Sequence, residues 1–321
     1  MTADWTIRRY RPEDMALWDS LAGLSRQGTL LHLRGYMDYH ADRFADCSLI
    51  ALRKGTPTAL LPANIVCDVL YSHQGLTYGG WLTPRSHFDG SDMLALFEEW
   101  TEWCRDNGIR KIYYKAVPHI YHRLPAEEDL YALFRSGARP WITNLSSTID
   151  MRYIPAMSTQ QKRNLKKSMA AQPWIRETAD AGEFMPVLRD CLLSRHAASP
   201  VHTAAELQLL KERFPDNIRF FLCGTGSDIE AEVCIFDTNG VAHCQYIATS
   251  DAGRSNGTLT FLLHHLTTET FRDRKYFDFG TSNEAAGTIL NSGLLHQKTG
   301  LGGRGVAYQS FELDLYPTNL I

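Results

Sequence analysis

The sequence predicts an α+β protein made of two tandem domains with mixed sheets, and two windows of the chain carry this prediction. In each window, short β-branched or apolar runs form a meander, an amphipathic helix follows, and a further strand closes the unit. The first window spans residues 47–117 and the second spans residues 218–280. A repeated order of elements indicates a duplicated domain, so we expect domains at residues 1–155 and 156–321.

Turn signals and a helical repeat define the first window. Lys54-Gly55 separates two strand-like runs and is typical of a hairpin turn. Residues 92–108 (DMLALFEEWTEWCRDNG) place apolar side chains on one face at a spacing of 3.6, and Gly108 suits the end of this helix. Residues 71–82 (YSHQGLTYGGWL) are expected to form a strand edge before the helix.

The second window repeats this order with different residues. A Gly-Thr-Gly-Ser turn at 224–227 and an Asn-Gly turn at 239–240 separate three strand-like runs. A helical pattern and the strand KYFDFG follow. Between the windows, residues 158–172 (STQQKRNLKKSMAAQ) predict a basic helical connector, and Thr203 with Glu206 reads as a capping box.

Composition excludes several classes of protein. The net charge of −3 and the pI near 6.5 give no general attraction to nucleic acid or to anionic membranes. The seven cysteines are scattered without a CxxC pair, which is typical of reduced thiols, and no apolar run reaches the length of a bilayer span. We therefore expect a cytoplasmic protein. No histidine or cysteine set has ligand spacing, so no metal is expected.

The polar junction at 254–257 is a candidate anion site. Arg254, Ser255, Asn256 and Gly257 follow a strand and open a predicted helix. Backbone N–H groups at a helix start attract phosphate, so this junction could hold the pyrophosphate of a cofactor. An ordinary polar loop with a helix cap explains the same residues.

The stretch from Phe277 to Arg304 is the candidate catalytic segment. Asp278 and Ser282 lie at the end of an apolar strand, where α/β units tend to place functional groups. Asn291 and Lys298 follow around a short helical turn, and Lys298 could neutralise a phosphate or a developing oxyanion. The alternative is a solvated lysine on a surface loop.

The first window contributes candidate substrate contacts. Tyr78 runs into Gly79-Gly80, where missing side chains could let a ligand approach the backbone. His73 has a pKa range suitable for a general base, although a structural role explains it equally. Arg163 and the neighbouring lysines of the connector could bind phosphates or form a solvated helix face.

These pieces resemble the GNAT acyltransferase domain and, in tandem, its FemAB-like branch. Arg254-x-x-Gly257 at a helix start resembles the GNAT pyrophosphate loop, with Leu259 at a position where the superfamily has a small residue. The end of the second window resembles the FemAB-like pattern of a strand reaching Phe-Gly, a Gly-Leu pair and a lysine before a glycine turn. The matching residues are Phe279-Gly280, Gly293-Leu294, Lys298 and Gly302.

The resemblance implies an N-acyltransferase. FemAB-like proteins move amino acids from aminoacyl-tRNA to cell-wall precursors, and GNAT proteins use acyl-CoA, so either donor is implied, with a primary amine of a cell-envelope or glycan precursor as acceptor. By resemblance, Lys298 assists acyl transfer and Arg163 contacts nucleotide phosphate. The backbone after Tyr246 would polarise the donor carbonyl, and the acceptor would lie in the cleft between the domains, against the Tyr78-Gly79-Gly80 edge. The charged coiled-coil arm of some FemAB proteins is missing, which favours relatives that modify small amines.

Two other hypotheses remain open. A GNAT-like pair that has lost donor binding would recognise only a nucleotide sugar or a partner protein, and Leu259 favours this binding module. An RNA-binding protein that uses residues 163–167 is the third possibility.

Overall fold

The computed structural model describes residues 4–196 and 199–317. The chain divides into two compact units, Met1–Asn144 with Ala307–Ile321, and Leu145–Val306. The division after residue 144 precedes the expected one, and residues 307–321 return to the first unit. No turn signal marks this return, because it occurs inside one continuous strand.

Strands make up most of the regular structure. They are β1 (Trp5–Arg9), β2 (Leu49–Arg53), β3 (Thr56–Leu61), β4 (Asn64–Val66), β5 (Val69–Tyr71), β6 (Lys111–Lys115), β7 (Arg139–Asp150), β8 (Trp174–Thr178), β9 (Ile218–Thr225), β10 (Asp228–Thr238), β11 (Val241–Thr249), β12 (Tyr276–Thr281), β13 (Asn283–Glu284), β14 (Ile289–Leu290) and β15 (Arg304–Asp314).

The α-helices are α1 (Met15–Leu24), α2 (Arg34–Met37), α3 (Gly90–Asp106), α4 (Glu128–Arg135), α5 (Thr159–Ala170), α6 (Ala181–His196), α7 (Ala204–Arg213), α8 (Asp251–Asn256), α9 (Thr258–His265) and α10 (Ser292–Gly300). A π turn, Leu266–Thr270, prolongs α9. Of the helices that the structure describes, none has both the length and the apolar character to cross a bilayer.

The first unit contains two small sheets. Strands β1, β2 and β3 form an antiparallel sheet, and the second sheet has the order β4-β5-β6-β15. Helix α3 connects β5 to β6, which are parallel. Its predicted apolar face is buried in the core of this unit at Met93, Leu96, Phe97, Trp100 and Cys104. The predicted Lys54-Gly55 hairpin is confirmed, with both residues at positive φ.

One prediction for the first unit is wrong. Residues 75–80 form no strand, and only Leu82 makes an isolated bridge, to Leu60. The segment instead folds back on its neighbours: the Gly79 N–H donates to the Lys115 carbonyl, and the Trp81 N–H donates to the Tyr114 hydroxyl. These bonds satisfy the backbone without a regular ladder.

The second unit contains a mixed sheet with helices packed on it and the short antiparallel pair β13-β14. The strands of the mixed sheet follow the order β7-β12-β11-β10-β9-β8, and β11 runs parallel to β12 through the crossover α8 and α9. The structure confirms four predicted local features: the turns at 224–227 and 239–240, the helix α5 and the Thr203–Glu206 capping box. Strand, helix and parallel strand thus recur in both units, as the sequence predicted.

Candidate active site

Two neighbouring parallel strands separate in the second unit. Strands β11 and β12 pair only from Val241 with Tyr276 to His243 with Asp278, although β11 continues to Thr249. Gln245 is an extra residue of β11 against β10, and β12 has a bulge after Asp278 against β7. Bulges re-aim strands and often lie beside active sites. Backbone and side chains at this separation are therefore available for chemistry.

Asp278 is the centre of a buried polar cluster at this point. Cross-strand register places it in one row with His243 on β11 and Thr148 on β7, so the three side chains share a face. Its Oδ1 accepts from Ser146 Oγ at 2.5 Å, from Thr148 Oγ1 at 2.8 Å and from the Gly280 N–H at 3.2 Å. His243 Nδ1 lies 2.8 Å from Oδ2. These groups together hold a fully buried carboxylate.

Lys298 lies beside this cluster and not in solvent. Its Nζ donates to the carbonyls of Gly280 at 2.9 Å and Thr281 at 2.7 Å, both within the bulged end of β12. Only 5% of the residue is exposed. Burial lowers its pKa to about 8, against the charge of Asp278, which raises it. The ammonium is therefore mostly charged at pH 7 and oriented by two backbone dipoles.

Asn291 and Ser282 shape the segment around Lys298. The Asn291 side chain caps α10 through the Leu294 N–H at 2.9 Å and donates to Glu284 at 2.7 Å. This amide therefore orders the helix that carries Lys298. Ser282 is buried and bonded through its backbone to Leu145 and Asn291, while its hydroxyl has no hydrogen-bond partner among the described residues.

The predicted pyrophosphate junction is filled by the protein itself. Gly257 has φ +76° and separates α8 from α9, and a Cβ there would lie 2.5 Å from the Asn164 carbonyl oxygen of α5. The Glu230 carboxylate accepts from Asn256 Nδ2 at 3.0 Å and from the Thr258 hydroxyl. The Glu230 carboxylate thus takes up two side-chain donors at the start of α9, and its negative charge opposes the binding of an anion there.

The other predicted donor residues are dispersed. Arg254 and Ser255 are exposed on α8, and the Ser255 carbonyl accepts from Lys167 of α5 at 2.7 Å. The Tyr246 hydroxyl lies 2.6 Å from His202 Nδ1. Leu259, the departure from the GNAT loop, is buried in the core of this unit. Arg163 is exposed on α5, together with Lys162, Lys166 and Lys167.

The predicted substrate residues of the first unit are buried. His73 stacks on His40 at 5.2 Å, and burial together with nearby positive charge lowers its pKa to about 3. This pKa is too low for an efficient general base near neutral pH. The Tyr78 ring packs against Tyr121 at 4.5 Å.

Gly79 and Gly80 are explained by close packing inside the protein. A Cβ on Gly79 would lie 2.1 Å from the Ser72 carbonyl oxygen, and one on Gly80 would lie 2.7 Å from the Tyr114 hydroxyl. Missing side chains here let the chain approach itself, which accounts for both glycines without a ligand.

The structure thus brings Asp278, Ser282, Asn291 and Lys298 together and leaves the residues at 254–257 apart from them. Sequence reasoning missed His243, Ser146 and Thr148. One signal was present, since His243 and Asp278 each interrupt an apolar strand and a buried polar group needs a partner. Among residues 4–196 and 199–317, no group of three histidine, cysteine or carboxylate side chains is arranged to hold a metal.

Comparison with known proteins identifies the fold. The sequence matches no family model and gives no significant match among curated proteins. FemX is structurally similar, with a TM-score of 0.67 and 9% identity over 96% of this chain and 97% of that chain. L-PGS from Bacillus licheniformis has a TM-score of 0.60 and 10% identity over 97% of this chain and 94% of that chain.

A third similar structure is a tandem GNAT protein from the clavulanic acid biosynthesis pathway. Its TM-score is 0.53, with 13% identity over 98% of this chain and 100% of that chain. Identities this low support a shared fold. The expected architecture is confirmed: the protein shares its fold with FemX, L-PGS and a tandem GNAT protein.

Proposed function

We propose that the protein is a FemAB-like N-acyltransferase that moves an acyl or aminoacyl group to a primary amine of a cell-envelope or glycan precursor. The observation that carries this proposal is the buried Lys298 ammonium at the separation of β11 and β12. The fold shared with acyltransferases supports the reaction class.

The proposed reaction is direct transfer. The acceptor amine attacks the donor carbonyl, the new C–N bond forms as the C–O or C–S bond breaks, and no enzyme-bound intermediate is made. Lys298 stabilises the developing oxyanion, because two of its three N–H groups face carbonyls and one remains for a substrate oxygen. The five cysteines that are buried are poor nucleophiles, and burial raises the pKa of Cys223 to about 12.

We further propose that the donor is an aminoacyl-tRNA and not a CoA thioester. At the junction that would hold the CoA pyrophosphate, Glu230 places a negative charge and the α5 backbone lies close to Gly257. Next to it, α5 exposes Lys162, Arg163, Lys166 and Lys167 and contains no acidic residue. An outward row of cations suits the phosphates of a nucleic acid, even in a chain of net charge −3.

The test compares donors directly. Isothermal titration with acetyl-CoA and with a mixture of aminoacylated tRNAs measures binding, and radiolabelled donors incubated with an amino sugar or a lysine-containing peptide measure transfer. We expect binding and transfer from the charged tRNA. Transfer from acetyl-CoA alone would contradict the RNA donor and keep the acyltransferase, whereas binding of neither donor would favour a non-catalytic module.

A further inference from the structure

The His243–Asp278 pair sits where an acyl transfer needs a base. His243 is the last residue of β11 that pairs with β12, and its register partner on β12 is Asp278. The Lys298 ammonium is held by the two carbonyls that follow on β12, those of Gly280 and Thr281. An imidazole and a proposed oxyanion donor therefore lie at the same separation of strands.

We propose that His243 is the proton-transfer residue of this site, which rests on the proposed acyl transfer. The fully buried Asp278 accepts from His243 Nδ1 at 2.8 Å, while the His243 side chain keeps 14% of its surface accessible. A carboxylate on Nδ1 orients the ring and fixes the proton of the neutral imidazole on that nitrogen. The basic lone pair is then on Nε2.

Three further hydrogen-bond donors fix the position of the Asp278 carboxylate. Ser146, Thr148 and the Gly280 N–H all donate to Oδ1, and the imidazole lies against Oδ2. Hydrogen bonds to the ionised form favour a carboxylate over its protonated form. The residue of β10 opposite His243 is the apolar Phe236.

The proton balance of the proposed step is simple. Nε2 removes one proton from the attacking acceptor ammonium, so that the nitrogen lone pair can attack the donor carbonyl. When the carbonyl re-forms, the C–O bond to the RNA ribose breaks, or the C–S bond of a thioester. The imidazolium returns this proton to the leaving oxygen or sulfur, a second proton leaves the amide nitrogen for water, and His243 ends neutral.

His243→Asn is the sharp variant, because an asparagine amide can reproduce the Nδ1 donor to Asp278 but has no Nε2. We expect transfer from charged tRNA to fall by about 10²- to 10⁴-fold, with partial rescue by added imidazole. His296→Asn, on an exposed histidine of α10, serves as the control. A structural role for His243 predicts that the asparagine variant keeps wild-type transfer, and that result would overturn the proposal.

A second measurement needs no donor. Diethyl pyrocarbonate acylates unprotonated imidazole nitrogens, and peptide mapping of the full chain should show His243 modified at neutral pH. An unmodified His243 would contradict an accessible Nε2. Modification of His243 in a chain that transfers no acyl group would refute the proposed function and leave the assignment of the basic nitrogen standing.

Discussion

The Nζ of Lys298 lies 2.7 Å from the carbonyl oxygen of Thr281, in the bulged end of β12. The first unit holds a half-buried lysine, Lys115, whose Nζ lies 2.7 Å from the carbonyl of Leu76. Burial lowers the pKa of both lysines to about 8. Only for Lys298 does a carboxylate, that of Asp278, oppose the effect of burial. A buried lysine alone thus does not define the site; the neighbouring carboxylate and imidazole do.

Lys298→Met should separate catalysis from stability. Methionine keeps the apolar stem and removes the ammonium, so we expect transfer to fall by about 10²- to 10³-fold through loss of oxyanion stabilisation. The free energy of unfolding should change by only about 1 kcal/mol, since the lost carbonyl bonds and the relieved burial of a charge oppose each other. Steady-state transfer and urea unfolding measure the two effects.

Lys115→Met is the matched stability control for this variant. It removes an ammonium of similar pKa from the carbonyls of His73, Gln74 and Leu76. If both variants lose a similar amount of unfolding free energy, the contacts between ammonium and carbonyls contribute equally to stability at the two lysines. If Lys298→Met loses transfer only in proportion to folded protein, its catalytic role is refuted.

Gly257→Ala should destabilise the second unit strongly. Alanine must adopt φ +76° and would place its Cβ 2.5 Å from a backbone oxygen of α5. We expect a loss of about 2 kcal/mol or more in the free energy of unfolding. Gly226→Ala is the control, because Gly226 has φ +57° and a Cβ added there would meet no atom within 4 Å. Only the backbone strain of alanine at positive φ, about 1 kcal/mol, should then lower its stability. Equal losses of unfolding free energy in the two variants would show that the α5 backbone makes no steric clash with a side chain at position 257.

The exposed cations of α5 should account for RNA affinity. We expect Arg163→Glu combined with Lys166→Glu to weaken binding of uncharged tRNA and to reduce the slope of log K against log salt by about 2. Filter binding at several NaCl concentrations measures this slope. Lys54→Glu, on an exposed lysine of the first unit, should leave it unchanged. An unaltered slope in the double variant would place the RNA contacts elsewhere.

Local features of the fold could be predicted from the sequence, and long-range pairings could not. The hairpin at Lys54-Gly55 and the end of α3 near Gly108 depend on a few adjacent residues, and both were predicted. The bond between His243 and Asp278 joins residues 35 positions apart in the chain. This bond depends on the register of two parallel strands. A hairpin turn would fix such a register, but these strands are joined by a crossover helix, which does not fix it.

Glycines illustrate the same limit. In the sequence, Gly79-Gly80 and Gly257 suggested contact with a ligand. A glycine indicates that some group approaches the backbone closely, but the sequence does not identify that group. In the structure the approaching atoms are Ser72, Tyr114 and Asn164 of the protein itself. In the segment that ends at Lys298, the buried strand and the short helix after it were predicted, since they are contiguous in the chain.

Acid should destabilise the first unit through its buried histidines. Burial lowers the pKa of His32 and His73 to about 3 and that of His122 to about 4. The unfolded chain binds these protons near pH 6.5 and the folded chain does not, so stability falls as the pH drops from 6.5 toward 4. At pH 5 each histidine should cost about 2 kcal/mol.

Tryptophan fluorescence is a selective measure of this effect. Trp5, Trp18, Trp81, Trp100, Trp103 and Trp141 lie in the first unit, and Trp174 lies in the second. Urea unfolding followed by fluorescence at pH 7 and pH 5 should show the midpoint fall, and His73→Gln should reduce this fall because glutamine cannot bind the proton. A midpoint that is independent of pH over this range would mean that the three imidazoles are hydrated in the folded protein.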